Sequence, residues 1–151
     1  MEHTLKDWPA FTVVGLLYRG KNDQGQIPAL WGTLNAQAHA IPHRPGAAFG
    51  VIDNFDTEQG IFDYVAGYEA APGAATPEGM VRKEVPAQRY AVFDTTLPDL
   101  MAAIHRIYDE WLPAAGFRRT SGPEFEFYGP DFDPSVPGAV MQLFIPVEDA
   151  P

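Results

Sequence analysis

Apolar and polar residues alternate most sharply at PEFEFY, Pro123 to Tyr128. Read as a strand, this stretch sets Phe125 and Phe127 on one face and Glu124, Glu126 and the Tyr128 hydroxyl on the other. The same logic predicts a first strand over Phe11 to Arg19, rich in β-branched and large apolar residues and closed by the turn-forming Gly20 to Gly25. Ile27, Leu30, Trp31, Leu34, Ala38 and Ile41 then recur at three- and four-residue steps, with Pro28 suited to a first helical turn and Pro42 ending the pattern. An amphipathic helix is expected there. Two short apolar runs, Ala48 to Asp53 and Ile61 to Glu69, flank a polar turn and read as a hairpin.

After the proline-rich, small-residue linker Ala70 to Glu78, the order repeats. Val81 to Asp94 reads as strand, with Pro86 confined to an edge or bulge because it has no N–H to donate. Thr96 resembles an N-cap, Asp99 complements the helix dipole, and Leu100, Ile104, Ile107, Tyr108 and Trp111 mark a second helical stripe ended by Pro113 and Gly116. Glu124 to Tyr128 and Val140 to Val147 supply two more strands. The expected fold is α+β: duplicated strand-helix-strand-strand modules, pseudo-repeats of about 8–70 and 79–148 in one domain of residues 1–151, with antiparallel sheet and a ligand groove between the halves.

Aligning FGVIDNFD, Phe49 to Asp56, with FEFYGPDFD, Phe125 to Asp133, lays Gly50 on Glu126. A carboxylate present in one half and absent from the other points to a site rather than to architecture. A single carboxylate buried without a partner costs several kcal/mol, so it either raises its pKa or awaits a cation.

Composition narrows the chemistry. A chain of 151 residues with 46% apolar content supports one compact domain. It has neither a long apolar run nor the order of residues typical of a signal peptide, so a cytoplasmic protein that avoids membranes is expected. The absence of cysteine removes disulfides, thiolate metal sites and thiol nucleophiles. A net charge of -10 opposes phosphate backbones, and the adjacent pairs Arg82–Lys83 and Arg118–Arg119 read as solvated edge or loop charge, so no direct nucleic-acid contact is expected. Ten Phe, six Tyr and three Trp provide pocket-forming material, with Trp31, Tyr64, Tyr68, Tyr90, Tyr108 and Trp111 all on predicted elements. Aromatic faces attract cations, although each ring serves equally well as core.

Other motifs dissolve on inspection. The Gly15-x4-Gly20-Lys21 pattern lacks the following Ser or Thr and reads as strand. His39 and His43 are separated by Pro42, and His105 with Asp109 reads as a surface helix pair, so no metal or cofactor is expected. Asp131 to Ser135 lacks the glycine and terminal glutamate of a calcium loop and reads as a turn. Glu124 and Glu126 stand about 6.6 Å apart along a strand, a spacing compatible with a glycosidase pair but more common on a solvated face.

In their order and spacing, VVGLLYRG, IPALWGTL, FGVIDNFD, FDYVAGYEA, VPAQRYAVFDTT, PEFEFYGPDFDP and MQLFIPVE resemble the GyrI-like effector-binding domain, which also occurs fused to AraC-type and MerR-type regulators. The resemblance covers nearly the whole chain. It implies a groove for bulky hydrophobic compounds, cationic aromatics included, lined by stacked aromatics and by an acidic residue in a Glu-x-Tyr strand. Glu126 and Tyr128 match that strand, Trp31 the helix tryptophan of some members, and Tyr68 the hairpin strand. Tyr90 and Trp111 are added as aromatic candidates facing either core or groove. No helix-turn-helix is expected in the chain. The resemblance therefore implies a ligand-binding or sequestering protein, a hydrolase of cyclopropane-type alkylating compounds with Glu126 as general base, or a partner of a protein such as gyrase.

Overall fold

The computed structural model describes residues 1–41 and 43–151, the last set without the side chains of 43–45. Its strands are β1 (Thr4–Trp8), β2 (Phe11–Gly20), β3 (His43–Asp56), β4 (Ile61–Ala70), β5 (Val81–Val85), β6 (Gln88–Thr96), β7 (Phe117–Arg119), β8 (Glu124–Tyr128) and β9 (Val140–Asp149). Helix α1 (Gln26–Gln37) precedes β3. Helix α2 (Leu100–Arg106) continues into a π-helical turn, Ile107–Trp111, and a last helical turn, Leu112–Ala114.

The sheet is antiparallel and runs β1-β6-β9-β8-β3-β4-β2-β5, with β7 paired to β9. This order makes the duplication visible, because each half lends its first short strand to the other. β1 pairs with β6, and β5 pairs with β2. Val81 to Asp94 is therefore two strands rather than the one predicted, divided at Pro86 and Ala87 where the missing N–H breaks the ladder. The first module likewise starts before residue 8, at β1.

The halves meet at β3 and β8, in the register Phe49↔Phe127, Gly50↔Glu126 and Val51↔Phe125. That pairing is symmetric about Gly50 and Glu126, so the residues aligned in the two repeats face each other on the pseudo-twofold axis.

One face of the sheet curls around an aromatic core. In a flat sheet, strands three apart in the order would lie about 14 Å from one another, yet the Phe11 ring of β2 sits 5.3 Å from that of Phe125 on β8. Phe125 also stacks on Phe144 at 4.4 Å and meets Tyr90 at 5.1 Å. The opposite face carries the helices: α1 covers Val14, Tyr64 and Ala66 of the first half, and α2 covers Ala91, Phe93, Leu143 and Ile145 of the second. Between the helices the central strands are left as a floor.

One helix-end expectation is revised. The Thr96 hydroxyl contacts the Asp99 carboxylate at 3.2 Å instead of capping a backbone N–H, and the helix begins at Leu100. The π-helical turn keeps both Ile107 and Trp111 buried while Tyr108 turns toward the groove.

Candidate functional site

The groove between the helices encloses about 1710 Å³. Its floor is the polar face predicted for PEFEFY: Glu124, Glu126 and Tyr128 line it, while Phe125 and Phe127 pack into the aromatic core behind.

Glu126 is the buried charged residue of the described core, 6% exposed. Two phenols converge on its Oε1: the Tyr64 hydroxyl donates at 2.5 Å and the Tyr128 hydroxyl at 2.9 Å. Tyr64, itself 1% exposed, accepts a hydrogen bond from Trp31 Nε1 at 2.9 Å. A chain of hydrogen bonds thus runs from α1 through β4 to β8. Among the described residues no donor reaches Oε2, and no fully buried side-chain polar atom lacks a partner, so Oε2 opens onto the groove. Burial raises the Glu126 pKa to about 7, against the lowering effect of the two phenols and with a smaller push from Glu124. The phenols are raised in turn, by burial first and then by the carboxylate they contact.

This arrangement depends on Gly50. A Cβ at that position would overlap both the Tyr64 hydroxyl and Glu126 Oε1. The asymmetry between the repeats thus has a steric cause: on the axis there is room for one carboxylate, and glycine opposite gives it that room.

Beside this cluster lies a second. Glu124 Oε1 accepts from the Tyr108 hydroxyl at 2.8 Å and from Arg119 Nη2 at 3.3 Å, and Arg119 Nε donates to the Tyr108 oxygen at 3.0 Å. Burial raises the Glu124 pKa, opposed by the guanidinium and the phenol. Unlike Glu126, Glu124 has a resident cation. Arg119 is therefore a half-buried groove residue rather than the solvated loop charge expected, whereas Arg118 pairs at the surface with Glu148 at 2.7 Å.

Of the predicted ligand residues, Glu126, Trp31, Tyr68 and Tyr128 line the groove. Tyr90 and Trp111 do not. Tyr90 is 0% exposed in the aromatic core, its hydroxyl accepting from Gln88 Nε2 at 2.7 Å, and Trp111 packs under α2 against Phe93 at 4.9 Å. Alternation and helical period place a ring on a buried face without saying which side of the sheet that face belongs to. Tyr64 and Tyr108, offered by the sequence only as general aromatic pocket material, and Arg119, read there as solvated charge, also line the groove. The glycine aligned with Glu126 was the one available signal that another side chain reaches across β3.

The remaining motifs take structural roles. Gly15 to Gly20 is strand, and Asp133 Oδ1 accepts from the Ser135 backbone N–H at 2.9 Å in a turn. No group of three or more His, Asp or Glu among the described residues is placed to hold a metal. The expectations for Pro42 and for the His43 side chain fall outside the described residues.

The family model for the GyrI-like small molecule binding domain matches residues 1–148. The chain belongs to the GyrI-like family. Within it, the chain is 36% identical over 152 residues to the transcriptional regulator BrlR of Pseudomonas aeruginosa, a match covering 97% of this chain and 56% of BrlR. It thus spans little more than half the length of that relative. The fold is shared with SAV2435, solved bound to tetraphenylphosphonium, at a TM-score of 0.77 and 17% identity over 98% of this chain and 94% of that one. It is also shared with EcmrR, solved in a DNA complex, at a TM-score of 0.73 and 15% identity over 99% of this chain and 58% of EcmrR. The α+β fold expected from the duplicated pattern, and the GyrI-like fold implied by the resemblance, are therefore the fold observed. No helix of the described residues is long and apolar enough to cross a membrane.

Proposed function

We propose that the groove binds a bulky hydrophobic compound bearing positive charge on or near aromatic rings, and that the protein senses or sequesters such compounds in the cytoplasm. The observation that carries this reading is the buried Glu126, whose Oε2 opens onto the groove beneath Trp31 and Tyr128 without a resident cation among the described residues. A buried carboxylate lacking a counter-charge gains most from a ligand that brings one, and aromatic walls add cation–π attraction. SAV2435 and its tetraphenylphosphonium suggest the first probe. The polar atoms converge at the floor of a groove and not on an outward surface, which favours a small molecule over a protein partner such as gyrase.

A second reading, hydrolysis of cyclopropane-type alkylating compounds, draws on the same carboxyl. Titration near neutrality, with Oε2 open to the groove, suits a general base acting on water.

Titration with tetraphenylphosphonium, followed by tryptophan fluorescence, tests the first reading. Trp31 is the tryptophan that lines the groove, so Trp31→Phe identifies the reporter. Saturable quenching that Glu126→Gln weakens about tenfold or more is expected. Absence of binding, or equal affinity in both proteins, would remove Glu126 from its role. Mass spectrometry of bound compounds for added water separates binding from hydrolysis.

A further inference from the structure

The acids of the groove differ in what already answers them, and that difference bounds the charge of the ligand, an inference that rests on the small-molecule reading above. Among the described residues three acids line the groove, Asp53, Glu124 and Glu126. Asp53 is paired with Lys83 of β5 and Glu124 with Arg119, which leaves Glu126 as the carboxylate without a basic partner among the described residues. Arg119 is held by more than its ion pair. It ends β7, where its Nε donates to the Tyr108 oxygen at 3.0 Å and its Nη1 to the Thr120 carbonyl at 2.7 Å, while the contact of Nη2 with Glu124, at 3.3 Å, is the longest of the three. A guanidinium anchored on a phenol and a backbone carbonyl has ties that a ligand binding to Glu124 would not replace, and it stays charged at any working pH.

Glu124 and Glu126 face the groove from alternate positions of β8, about 6.6 Å apart along the strand. A ligand seated by one cation at Glu126, with a second charge directed toward Glu124, would bring that charge against Arg119, and like charges so close repel strongly where water is scarce. In the other direction, past Tyr128, the wall is apolar. Phe132 lies 4.9 Å from the Tyr128 ring, and Leu97 and Met101 also line the groove, so a second charge there would lose its water without finding an acid. The remaining basic lining residue, Lys21, is exposed, and as a cation it too opposes a second positive charge. We propose that Arg119 determines specificity as an internal cation: it occupies the second carboxylate of the groove floor and so restricts the groove to ligands bearing a single positive charge.

The test compares two ligands of one shape, both 1,4-disubstituted naphthalenes. The dication carries –CH2N(CH3)3⁺ on both arms, the monocation replaces one arm with its neutral isostere –CH2C(CH3)3, and tetraphenylphosphonium serves as reference. Affinities are measured by calorimetry at pH 8. The neutral arm is the more lipophilic in any apolar groove, so the decisive quantity is how the dication-to-monocation affinity ratio moves when Arg119 changes. In the wild type the monocation should bind more tightly by about tenfold or more. Arg119→Met keeps the aliphatic stem and removes the charge, and it should raise the ratio about tenfold or more. Should that variant fail to fold, Arg119→Gln, which keeps an N–H donor without the charge, takes its place. Arg119→Lys retains a cation and should keep the wild-type ratio. Adding Glu124→Gln to Arg119→Met should abolish the rise, because the second seat is then neutral. The proposal is overturned if the dication binds the wild type as tightly as the monocation, if loss of the Arg119 charge leaves the ratio where it was, if Arg119→Lys raises it equally, or if the rise survives Glu124→Gln. If the monocation or tetraphenylphosphonium binds in a Glu126-dependent way under any of those outcomes, the small-molecule reading stands and the charge rule alone fails. If no cation binds, both fall.

Discussion

Glu126 combines a cost with a use. Burial lifts its pKa from the ordinary 4.5 to about 7, so the protonated form is the comfortable one without a cation. Protons and cationic ligands therefore compete for the same carboxyl, and the affinity for tetraphenylphosphonium should fall about tenfold per pH unit below 7 and level off above it. A flat profile between pH 5 and pH 8, measured by fluorescence titration, would contradict this. Linkage gives stability the opposite trend. A group whose folded pKa is raised contributes stability that is complete below its unfolded value, here near 4.5, and that is lost as pH rises through about 7. The loss approaches about 3 kcal/mol at pH 9. Glu126→Gln should thus melt above the wild type at pH 9 but not at pH 4.5, and calorimetric melts showing the same difference at both pH values would argue against a buried carboxyl that ionises. Gly50 is the silent partner of this residue. Gly50→Ala forces a Cβ into the Tyr64–Glu126 contact, and overpacking of this kind costs about 1–3 kcal/mol, readable as a lower urea midpoint together with weaker cation binding.

At the scale of elements, alternation and period carried far where one face is buried and the other is not. β8 matches its predicted bounds, Glu124 to Tyr128, because Phe125 and Phe127 have a core to enter and the residues between them a groove to face. α1 was legible from the stripe through Leu34, which the structure buries completely. Val81 to Asp94 was misread because both of its parts have strand character, and Pro86, the local sign of the break, fits an edge or bulge within one strand as well as it fits a crossing to the other half. β1 leaves four of its five residues exposed and so carries no alternation, and β7 has only three residues. The site followed the same rule: Glu126, Tyr128 and Trp31 stand on elements whose faces the pattern assigns, whereas Tyr64 joins them through register and a facing glycine. A helical glycine offers a contrasting test within α1. At Gly32 a Cβ would meet nothing within 4 Å, so Gly32→Ala should stabilise the protein by about 1 kcal/mol through helix propensity. A urea midpoint unchanged or lowered would show that the backbone at this position is not the helical one described.

At the scale of the molecule, the exchanged strands decide how the two halves respond to damage. β1 belongs to the first module but completes the edge of the second, and β5 does the reverse, so neither half has a finished sheet by itself. Trp8, at the end of β1, makes the exchange energetic as well as topological. Its ring meets Phe11 of the first module at 6.5 Å, and Phe125 and Phe144 of the second at 6.2 and 5.0 Å. A lesion there should be felt by both halves at once. Trp8→Ala is expected to cost about 3 kcal/mol, at the low end for large aromatic truncations because the residue is only half-buried. If the halves are coupled as the strand order implies, far-ultraviolet dichroism and Trp31 fluorescence, isolated by adding Trp111→Phe, should report a single urea transition with the slope of the Trp111→Phe parent, shifted to lower denaturant. Trp31 sits in the first module and the dichroism averages over both, so separate transitions by the two probes would show that the modules unfold independently. The groove spans both modules, with Trp31 and Tyr64 from one and Glu126 and Tyr128 from the other. Coupled unfolding therefore predicts that a saturating cation raises the single Trp8→Ala transition as a whole, restoring part of the lost midpoint through a ligand that never touches residue 8.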